Sequence, residues 1–499
     1  MINKLYDTSL SLLTDLYQVT MAYGYWKTQT AEKEAVFNLY FRKHPFGSGF
    51  TIACGLANVI SYLREFDLSK KDIRYLATLT GNDGKPLFEP DFLDYLRNLT
   101  FSCDVDAIPE GTVVFPNEPL LRIRGPILQC QLLETPLLNL INFQSLIATK
   151  AARLRLAAQD DTLLEFGLRR AQGVDGGMTA SRAAYIGGCD ATSNVLAGKL
   201  YDIPVRGTHA HSWVMSFDSE LESFATYADV MPNNVTLLVD TYDTLAGVRH
   251  AITVGHRLRD RGHQLAGIRL DSGDLAYLSI EARKLLDAAG FTDTAIVASN
   301  DLDETIITSL KQQGAPITIW GVGTKLVTAY DQPALGAVYK LAALRNGDRW
   351  EYKMKLSEQA IKISTPGIQQ VRRYRDADGQ FLADMIYDED LMPGPGVASP
   401  GVDSPGDEVT IVDPLDFTKR RKFGPEQPYD DLLVPVFRDG QLCYARPTIH
   451  DSRARAQQQL AALHTGVKRF INPHLYPVGL EKRLYTLKTD LILKLRGET

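Results

Sequence analysis

The spacing of apolar residues changes rhythm near residue 160. Before that point the chain is mixed. Leu12, Leu16, Val19 and Tyr23 recur at helical spacing and predict a helix over residues 11–25. Residues 36–41 alternate like a strand, and 56–66 and 91–99 read as helices. Residues 103–114 and 119–123 are β-rich, with turn signals at Pro109-Glu110-Gly111 and Gly125-Pro126. A long apolar helical pattern covers 131–158. Beyond it, short apolar runs occupy 163–166, 203–206, 235–239, 265–270, 295–298 and 317–320, each closing on small, polar or charged residues. Helical stretches such as 244–261 and 275–289 follow most of these runs. A run roughly every thirty residues is the period of βα units on a parallel sheet. After residue 352 the rhythm fades: 371–374 and 381–387 predict strands around Asp378-Gly379, residues 392–407 a Pro/Gly-rich loop, and 450–495 a charged helical tail.

The fold class is therefore α/β. Six polar strand ends favour a (β/α) barrel, where such ends converge, over a doubly wound sheet, where only the switch point needs them. The expectation is a TIM-like barrel, irregular or with fewer than eight strands. Its boundaries divide the chain into an N-terminal α/β domain at 1–133, the barrel at 134–352 and a C-terminal segment at 353–499.

Composition narrows the function. The 499 residues carry 54 Lys plus Arg against 60 Asp plus Glu, a net charge of −6, which argues against a nucleic-acid platform. The run Lys419-Arg420-Arg421-Lys422 is expected to be a solvated surface patch. Five scattered Cys with no CxxC pair support neither a disulfide framework nor a thiolate zinc site, and fit a reducing compartment. Asp7 and Asp15 spoil a signal peptide, and Glu134, Pro136 and Asn139 interrupt the greasiest stretch, short of the roughly 20 apolar residues a bilayer span needs. A soluble cytoplasmic protein is expected.

The chemistry gathers at the strand ends. In Gly207-Thr208-His209-Ala210-His211, two His at alternate positions can face one way. They could ligate a metal, given further ligands from later strand ends, but no other strand end carries a His. A nucleophilic or phospho-accepting His and a buried structural His are the other readings. Alternation puts Arg269 and Asp271 on one face, where Arg suits phosphate or carboxylate and Asp suits ribose hydroxyls or magnesium; an internal salt bridge is the bland alternative. Ser272-Gly273 and Gly321-Val322-Gly323-Thr324 can turn bare backbone onto an anion, and Arg169 and Arg170 add positive charge. Together these imply an enzyme acting on a phosphorylated sugar.

Six motifs in this order resemble the nicotinate phosphoribosyltransferase family: Thr14-Asp15-Leu16-Tyr17, Tyr40-Phe41-Arg42-Lys43 with Pro45-Phe46-Gly47, Glu165-Phe166-Gly167 with Arg169, residues 207–211, residues 269–274, and Gly321-Val322-Gly323-Thr324-Lys325. The resemblance implies transfer of phosphoribosyl from phosphoribosyl pyrophosphate to nicotinate, giving nicotinate mononucleotide and pyrophosphate in NAD biosynthesis. It implies a ligase-type enzyme with ATP as co-substrate, coupled through phosphorylation of His211. It implies Mg2+ held mainly by substrate phosphates rather than by a protein metal site. Tyr17, Phe166, Thr208 and Arg269 match positions near nicotinate. Arg169, Asp271, Ser272, Gly273, Asn300, Gly321, Gly323 and Thr324 match the surroundings of ribose and phosphate. A homodimer with a shared active site is implied, with no nucleic-acid or membrane partner. A nicotinamide-preferring transferase and a metallohydrolase using His209 and His211 are the alternatives; nothing favours a barrel that only binds nucleotide.

Overall fold

The computed structural model describes residues 8–392 and 408–498; most of the expected loop 392–407 lies outside them. The chain forms two compact units. One comprises Met1–Ser145, Ala334–Thr448 and Arg455–Thr499, and the other Leu146–Pro333 with Ile449–Ala454. The N-terminal and C-terminal parts that the sequence separates therefore share a unit.

In the first unit, strand Glu34–Tyr40 is buried on both faces and pairs antiparallel with Val338–Asn346 on one side and Leu121–Pro126 on the other. Residues 338–352, expected with the barrel, thus belong to this seven-stranded sheet. Helices Leu16–Lys27 and Pro90–Arg97 bury Tyr23, Trp26 and Phe92 in one aromatic cluster. The predicted helix start moves from residue 11 to Leu16, because residues 10–12 form only a single 3-10 turn.

A second, six-stranded sheet is built on the hairpin Gln369–Arg375 and Phe381–Asp388. Arg373 and Asp384 form an ion pair across it, both fully buried. The tail expected to be helical throughout is interrupted: helix Ile449–Ala461 gives way to irregular chain and strand Val478–Glu481 before helix Lys482–Arg496. Val478–Glu481 lies between Phe381–Asp388 and Val409–Val412, and that pairing, not its own pattern, makes it a strand.

The second unit holds a parallel six-stranded sheet in the order Ala191–Thr192, Thr162–Glu165, Ile319–Val322, Ala295–Ala298, Leu265–Leu270, Val235–Leu238. Among the described residues no pairing joins Ala191–Thr192 to Val235–Leu238, so the sheet is a half-barrel and not a closed TIM barrel. The predicted strand 203–206 contributes one bridge, Thr192 to Val205; Pro204 has no N–H to extend it. Several polar residues at the strand ends are helix caps. Asp243, Asp274 and Asp303 each accept a backbone N–H three residues on, from Ala246, Tyr277 and Ile306.

Candidate active site

The register of the parallel strands assembles the site of the second unit. Leu238 lies opposite Arg269, and Val297 lies opposite Arg269 on the other side. Three elements consequently reach the Arg269 guanidinium. Its Nε donates to Ser299 Oγ at 2.8 Å, Nη1 to Thr208 Oγ1 at 2.9 Å, and Nη2 to Asp271 Oδ1 at 2.9 Å. The predicted Arg269–Asp271 pairing is present, but as part of this wider network. Burial pushes the Asp271 carboxyl up, yet the Ser299 hydroxyl and the Arg269 guanidinium outweigh it and hold the group below the usual carboxylate range.

His211 opens the short helix His211–Met215 and is partly exposed. Its Nδ1 lies 3.1 Å from Thr241 Oγ1, and its Nε2 3.7 Å from Asp271 Oδ2. His209 faces elsewhere. Its Nε2 accepts the Leu238 N–H at 3.2 Å, its ring meets Tyr227 edge-on, and burial lowers its pKa. With the Nε2 lone pair engaged, His209 is a neutral core residue, and its ring does not share partners with His211 as the alternative HxH metal reading requires. Among the described residues no group of three or more His, Cys, Asp or Glu is placed to hold a metal ion.

Glu165, from the Glu165-Phe166-Gly167 motif, and three residues the motifs did not single out complete the arrangement. Glu165 is buried and accepts from Ser181 at 2.8 Å, from Thr192 and from the Gly167 N–H, bracing the turn after Phe166. Asp240 Oδ2 accepts the Asp271 N–H at 2.9 Å and the Ser272 hydroxyl at 2.6 Å. Asp240 Oδ1 is buried and accepts no hydrogen bond among the described residues. Thr241 and Ser299 orient His211 and Arg269. Asp240, Thr241 and Ser299 neighbour motif residues across the sheet, and strand-end position was their only signal.

The glycines have divided duties. A Cβ on Gly321 would lie 2.7 Å from the Phe166 ring, so a bare Cα at Gly321 seats that ring. Phe166 in turn lies beneath the Arg269 guanidinium, 5.8 Å from the ring centroid. Gly323 is tight against the Phe166 carbonyl and precedes Thr324, which opens a four-residue helix. Lys325 is neutralised by Asp303 at 2.6 Å. Gly273 and Asn300 both take positive φ, +77° and +102°. That is costly only for Asn300, which sits exposed just past Ala295–Ala298. Arg169 is exposed on a 3-10 turn with no carboxylate partner among the described residues. Tyr17 belongs to the first unit, half-exposed on helix Leu16–Lys27.

This arrangement offers a fixed guanidinium beside an aromatic ring, an exposed His backed by a carboxylate, and an unsatisfied carboxylate oxygen. Such groups suit an anionic, ring-bearing substrate. Comparison with known proteins agrees. Family models for the nicotinate phosphoribosyltransferase N-terminal domain, family and C-terminal domain match residues 12–142, 162–366 and 368–488. The chain is 44% identical to a nicotinate phosphoribosyltransferase of Bacillus subtilis, covering 98% of this chain and 97% of the relative. It is 37% identical to the one from Homo sapiens, covering 96% of each. The crystal structure of human nicotinic acid phosphoribosyltransferase superposes with a TM-score of 0.82 at 36% identity, covering 96% of this chain and 99% of that one. A nicotinate-nucleotide pyrophosphorylase from Pyrococcus furiosus shares the fold, with a TM-score of 0.65 at 20% identity and 91% and 96% coverage.

Proposed function

The chain belongs to the nicotinate phosphoribosyltransferase family, and from that premise we propose that it joins nicotinate to phosphoribosyl pyrophosphate in NAD biosynthesis. The pyridine nitrogen attacks C1 of the ribosyl donor, the C1–O bond breaks, and nicotinate mononucleotide and pyrophosphate leave. The observation that carries this is the three-way clamp on Arg269 above Phe166. A guanidinium so fixed recognises a carboxylate by charge and geometry, which favours nicotinate over its amide. Tyr17 of one subunit of a homodimer supplies the second aromatic face for the pyridine. Arg169, Asn300, Gly323 and Thr324 serve the phosphoribosyl group.

Magnesium arrives on the substrate phosphates and neutralises the charge that grows on departing pyrophosphate. The unsatisfied Oδ1 of Asp240 fits such a hard cation or its water.

ATP coupling runs through His211. With Nδ1–H donated to Thr241 Oγ1, the Nε2 lone pair attacks the γ-phosphorus of ATP; an N–P bond forms, the P–O bond to ADP breaks, and hydrolysis later returns phosphate. The new negative charge beside Asp271 repels that carboxylate and loosens its hold on Arg269, turning the guanidinium toward an incoming anion. The cytoplasm, where these substrates reside, is the proposed location.

The test is turnover of nicotinate with phosphoribosyl pyrophosphate and Mg2+, with and without ATP, with nicotinamide in parallel. Product from nicotinate, accelerated by ATP and scarce from the amide, is expected. His211→Ala should retain slow turnover and lose the acceleration. Undiminished acceleration in that variant removes the phosphohistidine, and equal turnover of the amide removes the carboxylate recognition.

A further inference from the structure

A cavity of about 1490 Å³ opens within the first unit and shares no residue with the strand-end site of the second. It exceeds the roughly 300–1,000 Å³ of ordinary small-molecule clefts. Strands Phe381–Asp388, Val409–Val412 and Val478–Glu481 and helix Lys482–Arg496 supply much of its wall. The lining is divided chemically. Ile386, Ile411 and Ile492 present apolar surface. Lys419, Arg420, Arg421, Arg469, Lys488 and Arg496 bring six cations, against one lining carboxylate, Asp413, among the described residues.

Apart from Lys419, these cations are not consumed by ion pairs among the described residues. Lys488, Ile492 and Arg496 recur every four residues and so share one helix face. Lys488 donates to Thr365 Oγ1 at 3.0 Å and has no carboxylate partner among the described residues. Burial lowers its ammonium pKa to about 8. A shielded cation without a counter-charge is costly, and a bound anion removes that cost. The basic run expected to be a solvated patch divides in the same sense. Lys419 pairs with Asp416 and Lys422 with Glu408, whereas Arg420 and Arg421 are each steered by a backbone carbonyl, of Phe417 and Leu382. Both then keep guanidinium N–H groups for a ligand. Arg469 is exposed with no ion-pair partner among the described residues.

We infer that this cavity binds an organic phosphate of nucleotide size, with its phosphates among Arg420, Arg421, Arg469, Lys488 and Arg496 and its apolar body on the isoleucine wall. The site stands whether or not the transferase reaction is as proposed above.

Lys488 itself provides the readout, since an amine of lowered pKa acylates readily near pH 8. The full-length protein is labelled with acetic anhydride, with and without ATP, and acetylation is measured residue by residue by mass spectrometry. At ten times its dissociation constant ATP leaves about a tenth of sites open, so labelling of Lys488 should fall about tenfold, while Lys85, exposed and outside the cavity, is unchanged. Tripolyphosphate should protect only at higher concentration, having no apolar body. Protection should survive Arg269→Ala, which cripples the other unit's site. It should vanish in Arg421→Glu and in Arg469→Glu, the latter an exposed position whose change leaves the core intact. Equal protection of Lys85, loss of protection in Arg269→Ala, persistence in both Glu variants, or no protection by millimolar ATP would each overturn the assignment.

Discussion

At the residue scale, one contact couples the ring of Phe166 to the charge of Arg269, and Gly321 is what permits it. A methyl at Gly321 would meet Phe166 Cδ2 at 2.7 Å and Cε2 at 2.8 Å, well inside contact distance. The ring must then tilt or rise toward Arg269, disturbing a guanidinium already committed to Ser299, Thr208 and Asp271. Gly321→Ala should therefore weaken nicotinate binding more than it slows chemistry. The expected result is a rise of roughly tenfold in KM for nicotinate, with overpacking costing about 1–3 kcal/mol of stability. Steady-state kinetics and a urea titration on the same preparation read both quantities. An unchanged KM would mean that the ring does not set the ground-state pocket.

At the element scale, the turn joining the first long strand to its neighbour carries a titratable load. His44 follows Glu34–Tyr40, contacts the rings of Phe41 and Phe115, and places Nδ1 2.9 Å from Thr51 Oγ1. Burial lowers its pKa from 6.5 to about 3. The folded chain thus keeps His44 neutral where the unfolded chain protonates it. Its contribution to stability is complete above pH 6.5 and is lost as pH falls from 6.5 toward 3. Between pH 7 and 5 the loss is about 1–2 kcal/mol. His44→Gln, neutral throughout, should start less stable at pH 7 and lose less on acidification, as read from urea midpoints at the two pH values. Parallel midpoint shifts in wild type and variant would remove His44 from the acid response. Elements like this strand were legible because both faces are buried and the pattern is local. Leu265–Leu270 and Ala295–Ala298 were legible for the same reason, as short apolar runs ending in polar residues. Ala191–Thr192 was not, because two residues carry no period, and Val478–Glu481 was not, because its neighbours across the sheet decide its state.

At the scale of the whole molecule, the division between legible and hidden follows the same line. Glu165, Thr208, His211, Arg269 and Asp271 stood out in motifs, whereas Asp240, Thr241 and Ser299 act across the sheet and needed the register to find them. At Gly321 the glycine motif did not announce the ring packing, because a bare Cα serves ring packing as well as phosphate. The largest step left to solution is the proposed dimer. Leu10, Leu13, Leu16, Tyr17 and Met21 are all exposed near the start of the first unit, a run of large apolar side chains suited to coverage by a second copy. If Tyr17 of one subunit serves the Arg269 of the other, then Tyr17→Ala and Arg269→Ala damage the same site from different chains. Each variant alone should be nearly inactive. Mixed after reversible dissociation, half the dimers are hybrids; each hybrid holds one doubly damaged site and one intact site, so activity should recover to roughly a quarter of wild type. No recovery, with hybrid formation verified by differently sized tags, would place both residues in one subunit's site or remove Tyr17 from it.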